Sequence, residues 1–228
     1  MFRETITSAD DSTEEGTCGE ADALRLLGRA VRLGYRVEAT RAGGAVVVRE
    51  IPACTDRWQL PRRHTVTVEP VVQAGRVTDV NRLDLELIGG RGGSWLQGDR
   101  IRAGYLNSIP PGAAGRLIAR GLVTVADDGV ATVSLVARLA MLAQDHHTET
   151  REPRGYVRPL DIGNTVSAGL NKPGGRAGKV YDRSSVASCS CRRWSYPAED
   201  REDARRRAHE HRQEVTAALV RDLGSEAG

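Results

Sequence analysis

The chain has 228 residues, of which 39% are hydrophobic, and its formal net charge is +3. This length has room for one or two domains with a real core, and we expect two small domains. No run approaches the roughly 20 apolar residues that a membrane helix requires, which excludes a membrane-spanning helix and predicts a soluble protein.

The charge is unevenly distributed along the chain. Between Met1 and Asp22 there are seven acidic residues and one arginine, so residues 1–20 are predicted to be an acidic, solvated tail. Between Arg151 and Arg193 the balance reverses to nine basic residues against three acidic ones. Residues 148–186 also carry prolines and glycines with weak periodicity, which predicts a basic linker or extended loop.

Cysteine and lysine usage indicates the cellular setting. Cys18, Cys54, Cys189 and Cys191 do not form a disulfide framework, and no secretory signal precedes them, so we expect a cytoplasmic protein. Almost all of the positive charge is arginine, which is typical of a GC-rich bacterial genome.

Residues 21–89 are predicted to form a small α+β domain. Apolar side chains recur at helical spacing over 21–33, and Gly34 ends that helix. Alternating patterns over 35–40, 45–51 and 62–72 predict three strands. Leu83, Leu85 and Leu87 also alternate, which predicts a fourth strand. A helix packed on an antiparallel sheet is the expected architecture.

A run of glycines, Gly89–Gly93 with one arginine, marks the expected boundary before a second domain over 94–147. Residues 95–106 are predicted to form one or two short helices. Pro111 favours a helix start, and the following helix is expected to run to Arg120. The alternating pattern from Val123 to Leu135 predicts a hairpin that turns at Asp128-Gly129. Apolar residues at helical spacing over 136–146 predict a further helix.

This order of helices, hairpin and helix resembles the winged helix-turn-helix domain. The similarity lies in the apolar helix, the Arg-Gly-Leu-Val stretch and the tight hairpin of 117–135, and it extends over about residues 99–145. In that family a recognition helix enters the major groove of DNA, and the resemblance implies that residues 112–120 form this recognition helix. Asp127 and Asp128 depart from the expectation, because they put negative charge where phosphate would lie.

Duplex DNA is therefore one expected partner, bound mainly through phosphate contacts. Each arginine or lysine that neutralises a phosphate adds to the salt dependence of binding. The candidate nucleic-acid-binding residues are Arg100, Arg102, Arg116, Arg120, Arg154, Arg158, Lys172, Arg176, Lys179 and Arg183.

Residues 187–223 combine a Cys-x-Cys pair with a strongly predicted helix over 199–222. Cys189 and Cys191 precede Trp194, and His211 falls on the apolar face of the helix while His209 points away. Thiolate and imidazole are preferred zinc ligands, so Cys189, Cys191 and His211 are the candidate metal ligands. A fourth ligand could come from Cys54, His209 or water. The alternative is a half-buried histidine and two ordinary thiols packed around Trp194.

The same segment is similar to a Cys-x-Cys, Trp, Ala-rich helix and His pattern of proteins from GC-rich bacteria, a resemblance that implies no activity. The sequence contains no nucleophile elbow, and Gly174 to Val180 lacks the residues of a phosphate loop, so no catalytic residue is predicted. The leading hypothesis is a DNA-associated accessory or regulatory protein. The alternatives are a protein-interaction or structural module and, third, an enzyme whose site is assembled from dispersed acids and histidines.

Overall fold

The computed structural model describes residues 1–8, 12–51, 62–71, 77–90, 92–104, 106–151, 185–198 and 200–226. Helices and antiparallel sheets both contribute, which confirms the α+β class. The described chain divides into two compact units. The first contains Met1–His146 and Arg212–Gly228, and the second contains His147–His211. The glycine run at 89–93 lies inside the first unit.

The first unit contains a five-stranded antiparallel sheet with the order β2-β1-β5-β4-β3. Its strands are β1 (Phe2–Thr7), β2 (Thr13–Cys18), β3 (Arg36–Ala39), β4 (Ala45–Ile51) and β5 (Arg62–Pro70). Helix α1 (Glu20–Arg32) buries Ala23, Leu27 and Ala30 in the same core as apolar side chains of this sheet. The predicted helix and the strands β3 to β5 are confirmed.

The acidic head differs from the expected solvated tail. Phe2 is fully buried, and β1 lies inside the sheet between β2 and β5, where both neighbours pair with its backbone. The polar residues at 13–17 belong to β2, an edge strand whose side chains are almost all exposed. A strand that needs no buried face can be made of threonine, glutamate and glycine without loss of core.

Helix α2 (Asp79–Ile88) replaces the strand predicted at residues 83–88. The Thr78 side chain caps it by accepting a hydrogen bond from the backbone N–H of Asn81. Leu85 and Ile88 are buried at a spacing of three residues, whereas Leu83 is 63% exposed. The alternating leucines therefore lie on different faces of a helix, and the strand prediction was wrong.

Three short strands follow: β6 (Ser94–Gln97), β7 (Arg100–Ala103) and β8 (Asn107–Ile109). They form an antiparallel sheet where short helices were expected at 95–106, and that prediction was wrong. The reversal between β6 and β7 occurs at Gly98, whose φ of +64° is readily adopted only by glycine. Ile101 and Ala103 point into the core and Arg100 and Arg102 into solvent, which is the alternation of a half-buried strand.

Helix α3 (Pro111–Ala119), the hairpin of β9 (Val123–Val125) and β10 (Ala131–Val133), and helix α4 (Leu135–Asp145) follow in the predicted order. Pro111 occupies the first turn of α3, and Ser134 caps α4 by accepting from the N–H of Ala137. These elements are confirmed. The winged-helix class of the segment stays a prediction.

The second unit has a three-stranded antiparallel sheet of β11 (Thr148–Arg151), β12 (Ser185–Cys189) and β13 (Ser195–Ala198). Both ends of the predicted linker thus form strands, and residues 152–184 lie outside the described residues. The predicted C-terminal helix is α5 (Arg201–Glu226), whose first part belongs to this unit and whose last part belongs to the first unit.

Candidate metal centre

The two thiols come together because the chain turns sharply after β12. Cys189 is the last residue of β12, and its carbonyl accepts from the N–H of Arg192 at 3.0 Å. Arg192 has a φ of +59°, a left-handed conformation that closes the turn. The N–H of Cys191 points at Sγ of Cys189 over 3.5 Å. A spacing of one residue, shorter than in most zinc sites, therefore still places both sulfurs together.

His211 approaches this turn from α5. It is only 8% exposed, as the predicted inward direction required, whereas His209 is exposed. Its Nε2 lies 3.9 Å from Sγ of Cys191. The indole of Trp194 stacks on the imidazole with ring centroids 4.5 Å apart and an interplanar angle of 8°. Stacking restricts the ring plane, so the imidazole nitrogen is held toward the thiol.

His146, which was not among the predicted ligands, completes the group. Strands β11 and β12 pair in a register that sets Thr148 opposite Cys189, and the N–H of Ser190 donates to the carbonyl of His147 at 2.9 Å. Continuing that register by one residue brings His146 beside Cys191. The ligand atoms of His146, Cys189, Cys191 and His211 all lie within 4.8 Å of one another, and the cluster could bind a metal.

Burial shifts the pKa values of two members of the cluster. It raises the pKa of the Cys189 thiol, an effect that the N–H of Cys191 opposes. It lowers the pKa of the His146 imidazole, an effect that the carboxylate of Asp145 opposes. Neutral imidazole and thiolate are the forms that bind metal.

The spacing of the donor atoms suits a tetrahedral ion. Bonds of about 2.3 Å to sulfur and about 2.0 Å to nitrogen give tetrahedral edges of about 3.3–3.8 Å. The distance of 3.9 Å between Sγ of Cys191 and Nε2 of His211 is close to such an edge. The ligand atoms of the whole group lie within 4.8 Å of one another, and rotation of the side chains can shorten these distances to the tetrahedral values. Cys54, one of the alternatives for the fourth ligand, lies outside the described residues.

The structure describes four of the ten predicted basic residues, and these lie on β7 and at α3. Arg100 and Arg102 project from the exposed face of β7, Arg116 is exposed on α3, and Arg120 is the half-buried C-cap of that helix. The remaining candidates lie outside the described residues: Arg154, Arg158, Lys172, Arg176, Lys179 and Arg183.

Comparison of the chain with models of protein families, with curated proteins and with solved structures found no match. Within the described residues, no helix combines the length and the apolar character needed to cross a membrane.

Proposed function

We propose that the protein binds one structural zinc ion through Cys189, Cys191, His211 and His146. The observation that carries this proposal is the convergence of two sulfur and two imidazole donors within 4.8 Å. Zinc takes thiolate and imidazole ligands in tetrahedral sites, and four protein ligands leave no open position for a substrate or an activated water. The set therefore supports a structural role over a catalytic one.

The charge of the site also favours a divalent ion. Each cysteine thiol that binds loses its proton to solvent, so two thiolates balance the two positive charges of Zn²⁺. The imidazoles bind as neutral groups and add no charge. The complete site is neutral, which matters because Cys189 and His211 are both buried.

The small hydrophobic core of the second unit favours a structural role for the metal. Its described residues bury only small apolar side chains, Ala187, Ala198, Ala204 and Ala208, with Trp194 and Tyr196 partly buried against them. Four methyl groups exclude little apolar surface from water, and units with so small a core commonly depend on a metal or disulfides. Zinc would link the β12 turn to α5 where hydrophobic contact is scarce.

Metal content of the purified full-length protein tests the proposal. We expect about one zinc per chain by elemental analysis, and a cobalt-substituted form with the visible absorption bands of a tetrahedral thiolate site. Cys189→Ser, Cys191→Ser and His146→Gln are each expected to lose most of the metal.

Two matched variants serve as controls. Cys18 is a free thiol distant in sequence from the Cys189–Cys191 pair, and His209 is an exposed histidine on the same helix as His211. Cys18→Ser and His209→Gln should therefore retain the metal. A protein that takes up no zinc, or one that keeps full metal content after Cys189→Ser and Cys191→Ser, would refute the zinc centre.

A further inference from the structure

The sheet of β6, β7 and β8 has one face whose described side chains are exposed. In the antiparallel register Trp95 lies opposite Arg102, which in turn lies opposite Ser108, and Gln97 lies opposite Arg100. Directly opposed residues share a face, and all of these side chains are exposed. An isolated bridge from Trp95 to Val130 continues the same row toward the β9–β10 hairpin.

The other face of this sheet belongs to the core. Ser94, Ile101, Ala103 and Ile109 are all buried, and helices α2 and α3 both contact β7. The opposite face carries Trp95, whose ring lies against Gly93 and which keeps 47% of its surface exposed. A half-exposed tryptophan among exposed polar side chains is typical of a binding surface.

The two arginines on this face differ from other described arginines in their charge partners. Among the described residues, neither Arg100 nor Arg102 has a carboxylate within salt-bridge distance, whereas Arg82, Arg206 and Arg212 each do. Acidic residues also flank this sheet: Asp99 in the β6–β7 turn, and Asp127 and Asp128 at the tip of the hairpin that pairs with β6. The Asp128 carboxylate already accepts from the N–H of Val130.

We propose that this face binds single-stranded nucleic acid, with a base stacked on Trp95 and the flanking phosphates bound by Arg100 and Arg102. An exposed aromatic ring beside unpaired guanidinium groups provides both parts of such recognition, because every base has a face to stack and every nucleotide a negative charge. Gln97, opposite Arg100, and Ser108, opposite Arg102, add hydrogen-bonding groups on the same face.

The geometry favours a single strand over a duplex. Bases in a duplex are already stacked on one another, so a flat aromatic platform reaches them only when they are unpaired. In addition, Arg116 lies on a different element, α3, from Arg100 and Arg102 of β7.

Fluorescence anisotropy with a labelled thymidine oligomer of about 12 nucleotides, over a salt series, tests the proposal. Trp95→Ala should weaken binding about tenfold or more, while Trp95→Phe, which keeps a stacking ring, should stay within about threefold. Arg100→Gln with Arg102→Gln should reduce the slope of log affinity against log salt by about 1.4, from about 0.7 per phosphate lost. A uridine oligomer run in parallel separates RNA from DNA preference.

Arg116→Gln is the matched control, since Arg116 is also exposed and lies on α3. It should leave single-strand affinity unchanged. Thermal unfolding of each variant separates loss of the surface from loss of the fold. No binding at low salt, unchanged affinity of Trp95→Ala, or tighter binding of a duplex that Arg116→Gln weakens would each overturn the proposal. The zinc content plays no part in these outcomes.

Discussion

A single hydroxyl on α5 supports the edge of the large sheet. Thr216 is 1% exposed, and its Oγ1 accepts from the backbone N–H of Ala39 at 3.1 Å while donating to the carbonyl of Arg212 at 2.8 Å. Ala39 ends β3, an edge strand that pairs with β4 on one side only. Its outward N–H therefore depends on the threonine for a hydrogen bond.

Replacing Thr216 with valine keeps the volume and removes the acceptor. We expect Thr216→Val to lower the free energy of unfolding by about 1–2 kcal/mol, the cost of leaving a partly buried N–H unsatisfied. For a chain of this size that corresponds to a fall in Tm of about 2–8 °C. Urea unfolding followed by circular dichroism, on protein saturated with zinc, measures it.

Thr132→Val is the matched control for this experiment. Thr132 lies on an exposed position of β10, where its hydroxyl contacts that of Thr124 and water can replace the bond. Its replacement should change stability by no more than about 0.5 kcal/mol. If Thr216→Val proves as stable as the native chain, the hydroxyl does not support the sheet edge and the reasoning fails.

Two further predictions concern the second unit. Trp194→Ala should weaken zinc binding about tenfold through the loss of the ring stacked on His211, with Trp194→Phe near native, as measured by competition with a chromophoric chelator. Native affinity in Trp194→Ala would show that stacking does not orient the ligand. Replacing residues 152–184 by a short turn should preserve zinc content, because Arg151 and Val186 are already paired across β11 and β12 and loop length has a small entropic cost. Loss of zinc from a shortened chain that still folds would contradict this expectation.

Local patterns were sufficient for much of the fold. The apolar spacing of α1 and α4 and the turn signal of the β9–β10 hairpin depend on residues close in sequence, and these elements were predicted. Residues 83–88 were misread because three alternating leucines also fit a helix, and only the burial of Leu85 and Ile88 distinguishes the two. β2 was missed because an exposed edge strand has no apolar face to detect.

The metal centre was predictable in part. Cys189, Cys191 and His211 lie near one another in sequence, and helical periodicity sets the inward direction of the histidine. His146 falls at the end of the helix predicted over 136–146, and its place among the ligands depends on the pairing of Thr148 with Cys189. No local pattern specifies a strand register between segments so far apart in the chain. The fourth ligand therefore emerges only from the tertiary structure.

The two edges of the five-stranded sheet bear on self-association. An exposed strand edge is a template on which another chain can add a strand and start a fibre. At β3 the edge N–H of Ala39 is occupied by Thr216, so an incoming strand meets no free donor there. At β2 the exposed Glu14 and Glu15 would face the same carboxylates of a second copy in a strand-to-strand contact. Among the described residues, the sheet edges thus carry two features that oppose strand addition: a side-chain hydrogen bond from α5 at β3 and like charges at β2.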